Sequence, residues 1–77
     1  MEVIYIETPY IKLDQALKFS GCVMTGGDAK NRIEEGYVLV NDAVCTSRGK
    51  KLYPGDRFEL RPAFEEETVF TCRVEAK

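Results

Sequence analysis

The spacing of apolar residues predicts a strand followed by a short helix at the start of the chain. The β-branched and aromatic run from Val3 to Ile6 predicts the strand, which ends before Thr8-Pro9. Small and apolar residues then recur at helical spacing, and Gly21 stands where a helix ends in a left-handed residue. A helix of about two turns is unstable alone, so it must pack against another element. The residues that set this spacing are Leu13, Ala16, Leu17 and Ser20.

A second helix is predicted from about Gly26 to Glu35. Thr25, with Asp28 three residues later, forms a variant of the capping box that begins a helix, and Gly36 ends the helical pattern. Two pairs of residues one turn apart complete the pattern, an inward apolar pair and an outward ion pair: Ala29 with Ile33, and Asp28 with Arg32.

After Gly36 the apolar residues alternate, which predicts strands. Asn41-Asp42 offers a tight hairpin turn, because both residue types tolerate the left-handed conformation. The polar run from Ser47 to Lys51 is predicted as a loop, Pro54-Gly55-Asp56 as a turn, and Glu65-Glu66-Glu67 as a solvated connection. The predicted strands are Tyr37–Val40, Ala43–Thr46, Arg57–Arg61 and Thr68–Glu75.

The predicted order, β-α-α-β-β-β-β, indicates an α+β fold in which two short helices pack on a small, mainly antiparallel β-sheet. A chain of 77 residues has room for one core, so a single domain over residues 1–77 is predicted. With 44% hydrophobic and 31% charged residues, the balance is that of a soluble globular protein. No apolar run approaches the roughly 18 residues of a membrane span, and the first residues lack the basic segment of a secretory signal. These features predict a cytoplasmic protein that contacts no membrane.

The residue types argue against catalysis and metal binding. The chain has no histidine, the commonest general base and metal ligand. Cys22, Cys45 and Cys72 form no C-x-x-C pair and lie in apolar or strand-like stretches, where a thiol acts as a small hydrophobe. No paired-carboxylate site stands out. The sequence therefore predicts a binding module with no enzymatic activity, cofactor or metal.

The net charge of −2 conceals a segregated distribution. Residues 1–11 carry two acids and no base, residues 12–57 carry eight bases against six acids, and residues 58–77 carry three bases against five acids. A basic middle between acidic ends can steer a polyanion to one face of a protein.

Two features of this basic middle could hold phosphate. Gly26-Gly27 opens a helix whose N-terminal N–H groups attract anions, and Lys30 follows one turn later. Arg48-Gly49-Lys50-Lys51 places three cations in four residues, and Tyr53 soon after could stack on a base. Taken singly, the glycine pair also fits a flexible connection and the basic run a solubilising loop.

The stretch from Ile11 to about Leu60 resembles the alpha-L RNA-binding motif of small-subunit ribosomal protein S-four. The start of the second helix and the run Arg48-Gly49-Lys50-Lys51, here called the basic loop, are most similar to small stand-alone bacterial proteins of the YaaA/YbcJ type. The runs that carry the resemblance are Leu13-x-x-x-Leu17-Lys18, Thr25-Gly26-Gly27-Asp28-Ala29-Lys30, Glu35-Gly36-x-Val38-x-Val40-Asn41, Arg48-Gly49-Lys50-Lys51-Leu52 and Gly55-Asp56.

The resemblance implies that the two helices and the adjoining hairpin form one surface for structured RNA, ribosomal or transfer RNA, without catalysis. It also implies a role in ribosome assembly or translation, with a ribosomal or assembly protein as a further partner. Three differences from the broader family bear on this surface. Gly26 stands where that family usually has Arg after the helix-capping residue, and Asp42 replaces the usual glycine of the hairpin and adds an acid. Arg32 stands at a usually apolar position, so the second helix could pack less fully or extend its basic face. Carried over by position, the RNA-binding residues are Lys12, Lys18, Gly26, Gly27, Lys30, Arg48, Lys50 and Lys51.

Two other functions remain open at this point. The run from Gly36 to Asp56 is also similar to ubiquitin-like sulfur carriers, but those act through a terminal Gly-Gly and this chain ends Val74-Glu75-Ala76-Lys77. The acidic ends of the chain would suit a protein adaptor that meets a basic partner.

Overall fold

The computed structural model describes residues 1–62 and 68–77 of the chain. The described part contains two helices, α1 (Leu13–Phe19) and α2 (Gly26–Glu34). The strands are β1 (Glu2–Ile6), β2 (Ile11–Lys12), β3 (Val38–Val40), β4 (Ala43–Val44), β5 (Lys51–Leu52), β6 (Arg57–Leu60) and β7 (Phe70–Ala76). This confirms the α+β fold predicted from the sequence.

Five of the strands form one sheet in the order β1-β7-β6-β3-β4. The neighbours are antiparallel except for β1 and β7, which run parallel with Ile4 opposite Val74. The separate β2–β5 ladder is antiparallel. Parallel strands need a long crossover connection, and here the helices and the antiparallel strands between β1 and β7 supply it. The pairing of β1 with β7 thus brings the first and last strands of the described residues together.

The core lies between the helices and one face of the five-stranded sheet. Phe58 and Leu60 are buried on β6, and Cys72 and Val74 are buried on β7, as the period of a strand requires. The inward pair predicted for α2 is buried as well. The buried core residues are Ile4, Ile6, Leu13, Ala16, Leu17, Val23, Ala29, Ile33, Val38, Val40, Leu52, Phe58, Leu60, Cys72 and Val74.

The turns and helix ends follow the local sequence. The Thr25 side chain accepts the N–H of Asp28 at 3.0 Å and so caps α2. Asn41-Asp42 has φ of 49° and 72°, the positive values that a type I′ hairpin turn needs. Gly21 and Gly36 follow α1 and α2 with φ of 84° and 87°. These predictions are confirmed.

The structure corrects the sequence prediction at short pairings and strand ends. Lys51, predicted to end a loop, lies in β5 opposite Lys12 of β2. Neither strand was predicted, because two residues are too few to show a period. The predicted strand Ala43–Thr46 is reduced to β4, and the last strand begins at Phe70 rather than Thr68. Glu65-Glu66-Glu67, predicted as a solvated connection, lies outside the described residues.

Candidate nucleic-acid interface

The β2–β5 ladder brings four of the predicted RNA-binding cations together. Lys12 lies opposite Lys51 in this ladder. The N–H groups of the first two residues of α1 donate to the carbonyls of Lys50 and Arg48, at 2.8 and 3.2 Å. The first N–H groups of a helix have no partner inside it, and no side chain caps α1 at Lys12. The loop carbonyls take that place, so capping of α1 also holds the basic loop.

Two neighbouring tyrosine rings lie next to the basic loop, and one of them contacts Lys51. The Lys51 Nζ lies 4.8 Å from the centroid of the Tyr10 ring, a cation–π contact. The Tyr10 and Tyr53 rings lie 5.9 Å apart and are tilted by 53°. Tyr53 is 49% exposed. Sequence reasoning singled out Tyr53 and missed Tyr10, whose contact with Lys51 joins distant parts of the chain.

The cations of the chain divide into two groups by their ion pairs. Five pairs between described residues join a side-chain nitrogen to a carboxylate oxygen: Arg32–Asp28 at 3.8 Å, Arg57–Asp42 at 2.8 Å, Arg61–Glu59 at 2.6 Å, Arg73–Glu75 at 2.6 Å and Lys77–Glu7 at 3.3 Å.

The second group consists of six exposed cations. Among the residues that the structure describes, no carboxylate oxygen lies within 4.0 Å of their side-chain nitrogens. Their charge is therefore not neutralised locally and is available to an anion. These six are also all of the lysines and arginines chosen from the sequence: Lys12, Lys18, Lys30, Arg48, Lys50 and Lys51.

Two of the three departures from the family pattern, Arg32 and Asp42, leave this group of six cations intact. Arg32 has a side chain only 15% exposed and pairs with Asp28, so it does not extend the exposed basic surface as the sequence suggested. Asp42 accepts a hydrogen bond from Arg57, which raises the pKa of that guanidinium and neutralises the added acid.

The start of α2 offers open backbone. A Cβ at Gly26 would meet nothing within 4 Å, and one at Gly27 would meet only the Thr25 hydroxyl oxygen at 4.0 Å. Neither glycine has a left-handed φ, so the fold itself does not require glycine there. Lys30 follows one turn later and is exposed.

The predicted residues thus form more than one patch. Lys12, Arg48, Lys50 and Lys51 are held together by the ladder and the α1 cap. Lys18 shares an open groove beside α1 with Lys12. In the described parts of the chain no hydrogen bond or ion pair links the start of α2 to the basic loop. Packing of α1 against α2 is what relates Gly26, Gly27 and Lys30 to the other patch.

Burial makes Cys22 and Cys72 poorly reactive. Burial raises the pKa of the Cys72 thiol to about 11, and it raises the pKa of Cys22 as well. Such thiols stay protonated near neutral pH and are poor nucleophiles and metal ligands. In residues 1–62 and 68–77 no cluster of three or more Cys, Asp or Glu side chains could hold a metal ion. Over the same ranges no helix is long and apolar enough to cross a membrane.

We expect substitution of Gly27 to weaken RNA binding without unfolding the protein. Alanine fits the open space and favours a helix more than glycine does, so Gly27→Ala should leave stability unchanged or raise it by up to about 1 kcal/mol. Gly27→Val adds bulk and should lower affinity by about three- to tenfold, the equivalent of one weakened hydrogen bond to phosphate. Thermal unfolding and RNA titration of both variants provide the measurements. Equal folding and equal binding by Gly27→Val would show that phosphate does not approach this backbone.

Two short helices and a hairpin on a small sheet, with cations gathered on one loop, define a class of RNA-binding module. The chain belongs to the S4 domain family, whose model matches residues 4–69. This family membership supports RNA binding, and the resemblance to S-four-like domains is confirmed. The match favours this class over the ubiquitin-like sulfur carriers.

The chain is also similar to a curated protein of Bacillus subtilis (strain 168) described as "Probable ribosome maturation protein RlbA". The two are 46% identical over 57 residues, which cover 74% of this chain and 80% of that protein.

Proposed function

We propose that this protein, as one domain over residues 1–77, binds structured RNA in the cytoplasm. Its six cations that lack a carboxylate partner among the described residues would contact the RNA phosphates. The observation that carries this proposal is the division of the cations by their ion pairs. Arg57, Arg61 and Arg73 on the sheet each have a carboxylate partner, whereas the cations of the basic loop have none among the described residues. A protein with a net charge of −2 can attract a polyanion only through such local segregation.

The composition of the loop favours recognition of RNA shape. Lysine and arginine at positions 48, 50 and 51 can contact phosphate oxygens, which position an RNA but carry no sequence information. The Tyr53 ring can stack on any base. We therefore expect selectivity for a feature such as a helix junction or bulge, where phosphates stand at unusual spacing.

Ribosomal RNA is the ligand that we favour among structured RNAs. The Bacillus subtilis relative is described as a probable ribosome maturation protein, and it covers most of this chain. Folded ribosomal RNA would suit a small module that recognises RNA shape. Transfer RNA is the second ligand that the family resemblance implies. A ribosomal or assembly protein would be a further partner on the ribosome.

Capture from a bacterial lysate, with and without nuclease, tests this function. The tagged protein should retain RNA enriched in ribosomal species over the lysate, and nuclease should release any co-purifying ribosomal proteins. The matched control is the same protein with Lys50→Glu and Lys51→Glu, which should retain neither. A partner protein that stays bound after nuclease treatment, with no RNA recovered, would instead support the adaptor function.

A further inference from the structure

An open groove beside the basic loop has features that phosphate binding at the loop does not use. The groove lies between the β1–β2 connection and α1 and has a volume of about 1000 Å³. Tyr5 from β1 and Phe19 from the end of α1 line it, and they are 57% and 62% exposed. Single exposed apolar residues are ordinary on a protein surface, but two aromatic side chains on one groove indicate a binding surface.

The charge of the groove favours an anionic occupant. Lys12 and Lys18 line it from the side of α1, and both belong to the unneutralised group. The acidic residue that lines the groove is Glu7, and its Oε1 lies 3.3 Å from the Nζ of Lys77. Lys77 lines the same groove, so its positive charge neutralises this carboxylate. An anion in the groove would therefore meet a net positive wall.

Aromatic faces beside cations are what single-stranded nucleic acid binds. The bases stack on the rings, and the backbone follows the positive charge. The groove is also continuous with the basic loop, because Lys12 lines the groove and lies opposite Lys51 in the β2–β5 ladder.

We propose that this groove binds a single-stranded RNA segment that continues from the structured RNA held at the basic loop. In this arrangement bases stack on Phe19 and Tyr5, and the phosphates between them contact Lys12 and Lys18. The inference rests on the proposed function, since it extends the path of the same RNA. It assigns RNA-binding roles to Phe19 and Tyr5, which the sequence did not single out.

An extended peptide is the other occupant that the location would admit. β1 is an edge strand of the five-stranded sheet, and a peptide could pair with the edge that no described strand covers. Such pairing would use the backbone of β1 and would not need the rings of Phe19 and Tyr5 or the charges of Lys12 and Lys18. The side chains present thus favour RNA.

Two RNA probes separate this inference from the proposed function. One is an oligouridine of about six nucleotides, near the short end of the lengths that such grooves take. The other is an RNA hairpin without single-stranded ends, measured at low salt. Affinities are measured for the parent, Phe19→Ala, Tyr5→Ala and Phe19→Leu, which keeps apolar bulk but loses the ring. Met24→Ala is the matched control, since Met24 is 87% exposed and does not line the groove.

We expect Phe19→Ala to weaken oligouridine binding by about five- to 140-fold, the equivalent of the roughly 1–3 kcal/mol that one stacked base contributes. Phe19→Leu should lose nearly as much, Tyr5→Ala should also weaken binding, and Met24→Ala should bind like the parent. Hairpin binding should stay roughly unchanged in all four. Nuclear magnetic resonance should show ring-proton shifts of Phe19 and Tyr5 on addition of oligouridine to the parent.

Three results would overturn the inference. In the first, the protein binds the hairpin but oligouridine does not shift the ring-proton signals of Phe19 and Tyr5. This result would show that the groove does not bind RNA, and it would leave the proposed function unchanged. Oligouridine binding that Phe19→Ala and Tyr5→Ala leave unchanged would do the same. Failure of the parent to bind either RNA, with β1 backbone amides shifted by an added peptide, would overturn the proposed function together with the inference.

Discussion

The double substitution Lys50→Glu with Lys51→Glu is expected to reduce RNA affinity by roughly a thousandfold. It removes two attractions and adds two repulsions on one loop, each about 1 kcal/mol at contact distance in water. Both side chains are exposed and lack a carboxylate partner among the described residues. Folding stability should therefore fall by no more than the roughly 0.5–1 kcal/mol of the exposed Lys51–Tyr10 cation–π contact. The measurements are affinity for a structured RNA and thermal unfolding of the same preparations.

A variant with the same change in net charge at another surface is the control. Arg61→Glu with Arg73→Glu alters the charge by the same amount, but both arginines already pair with a neighbouring glutamate on the sheet. If the cations of the basic loop bind phosphate directly, this control should keep most of the affinity. Equal losses in the two variants would show that net charge alone governs binding, and an unaffected Lys50/Lys51 variant would place the interface elsewhere.

Salt is expected to weaken RNA binding steeply. Four to six phosphate contacts correspond to a slope of roughly −3 to −4 in a plot of log affinity against log salt, at about −0.7 per contact for single-stranded segments. Between about 50 and about 200 mM salt, affinity should then fall by roughly 60- to 250-fold. The measurement is a titration of one structured RNA across a salt series.

The slope of log affinity against log salt also measures the number of phosphate contacts. Lys50→Ala with Lys51→Ala should make it shallower by roughly 1.4, whereas Arg61→Ala with Arg73→Ala should leave it unchanged. A slope near zero in the parent would contradict the phosphate-binding proposal, because binding would then release no counterions.

The elements that sequence patterns predicted are those whose interactions are local. The Thr25 cap of α2, the Asn41-Asp42 turn and the burial of Ala29 and Ile33 depend on residues within one turn of each other. Their geometry follows from residue type and spacing, so a linear pattern carries enough information. The β2–β5 ladder was missed because it joins two-residue segments from distant parts of the chain.

The candidate RNA-binding residues also divide into those that local sequence indicated and those that only contacts between distant segments revealed. Residue types and the family resemblance led to the six cations and the glycine pair before any contact was known. The tertiary structure then related them to one another through the Tyr10–Lys51 contact and the carbonyls that cap α1. Phe19 was not singled out, since an aromatic residue at a helix end gives no sign in the sequence of whether it is covered.

The sequence by itself determined the fold class, the helix ends, the hairpin turn and the identity of the cations. Each of these depends on local backbone preference or on residue chemistry. Only the tertiary structure decided which charges remain available. Arg57 is neutralised by Asp42, 15 residues away, and Lys77 by Glu7 through the pairing of β1 with β7, whereas Lys50 and Lys51 face solvent. Coulombic attraction depends on separation in space, and folding sets that separation with little regard to distance along the chain.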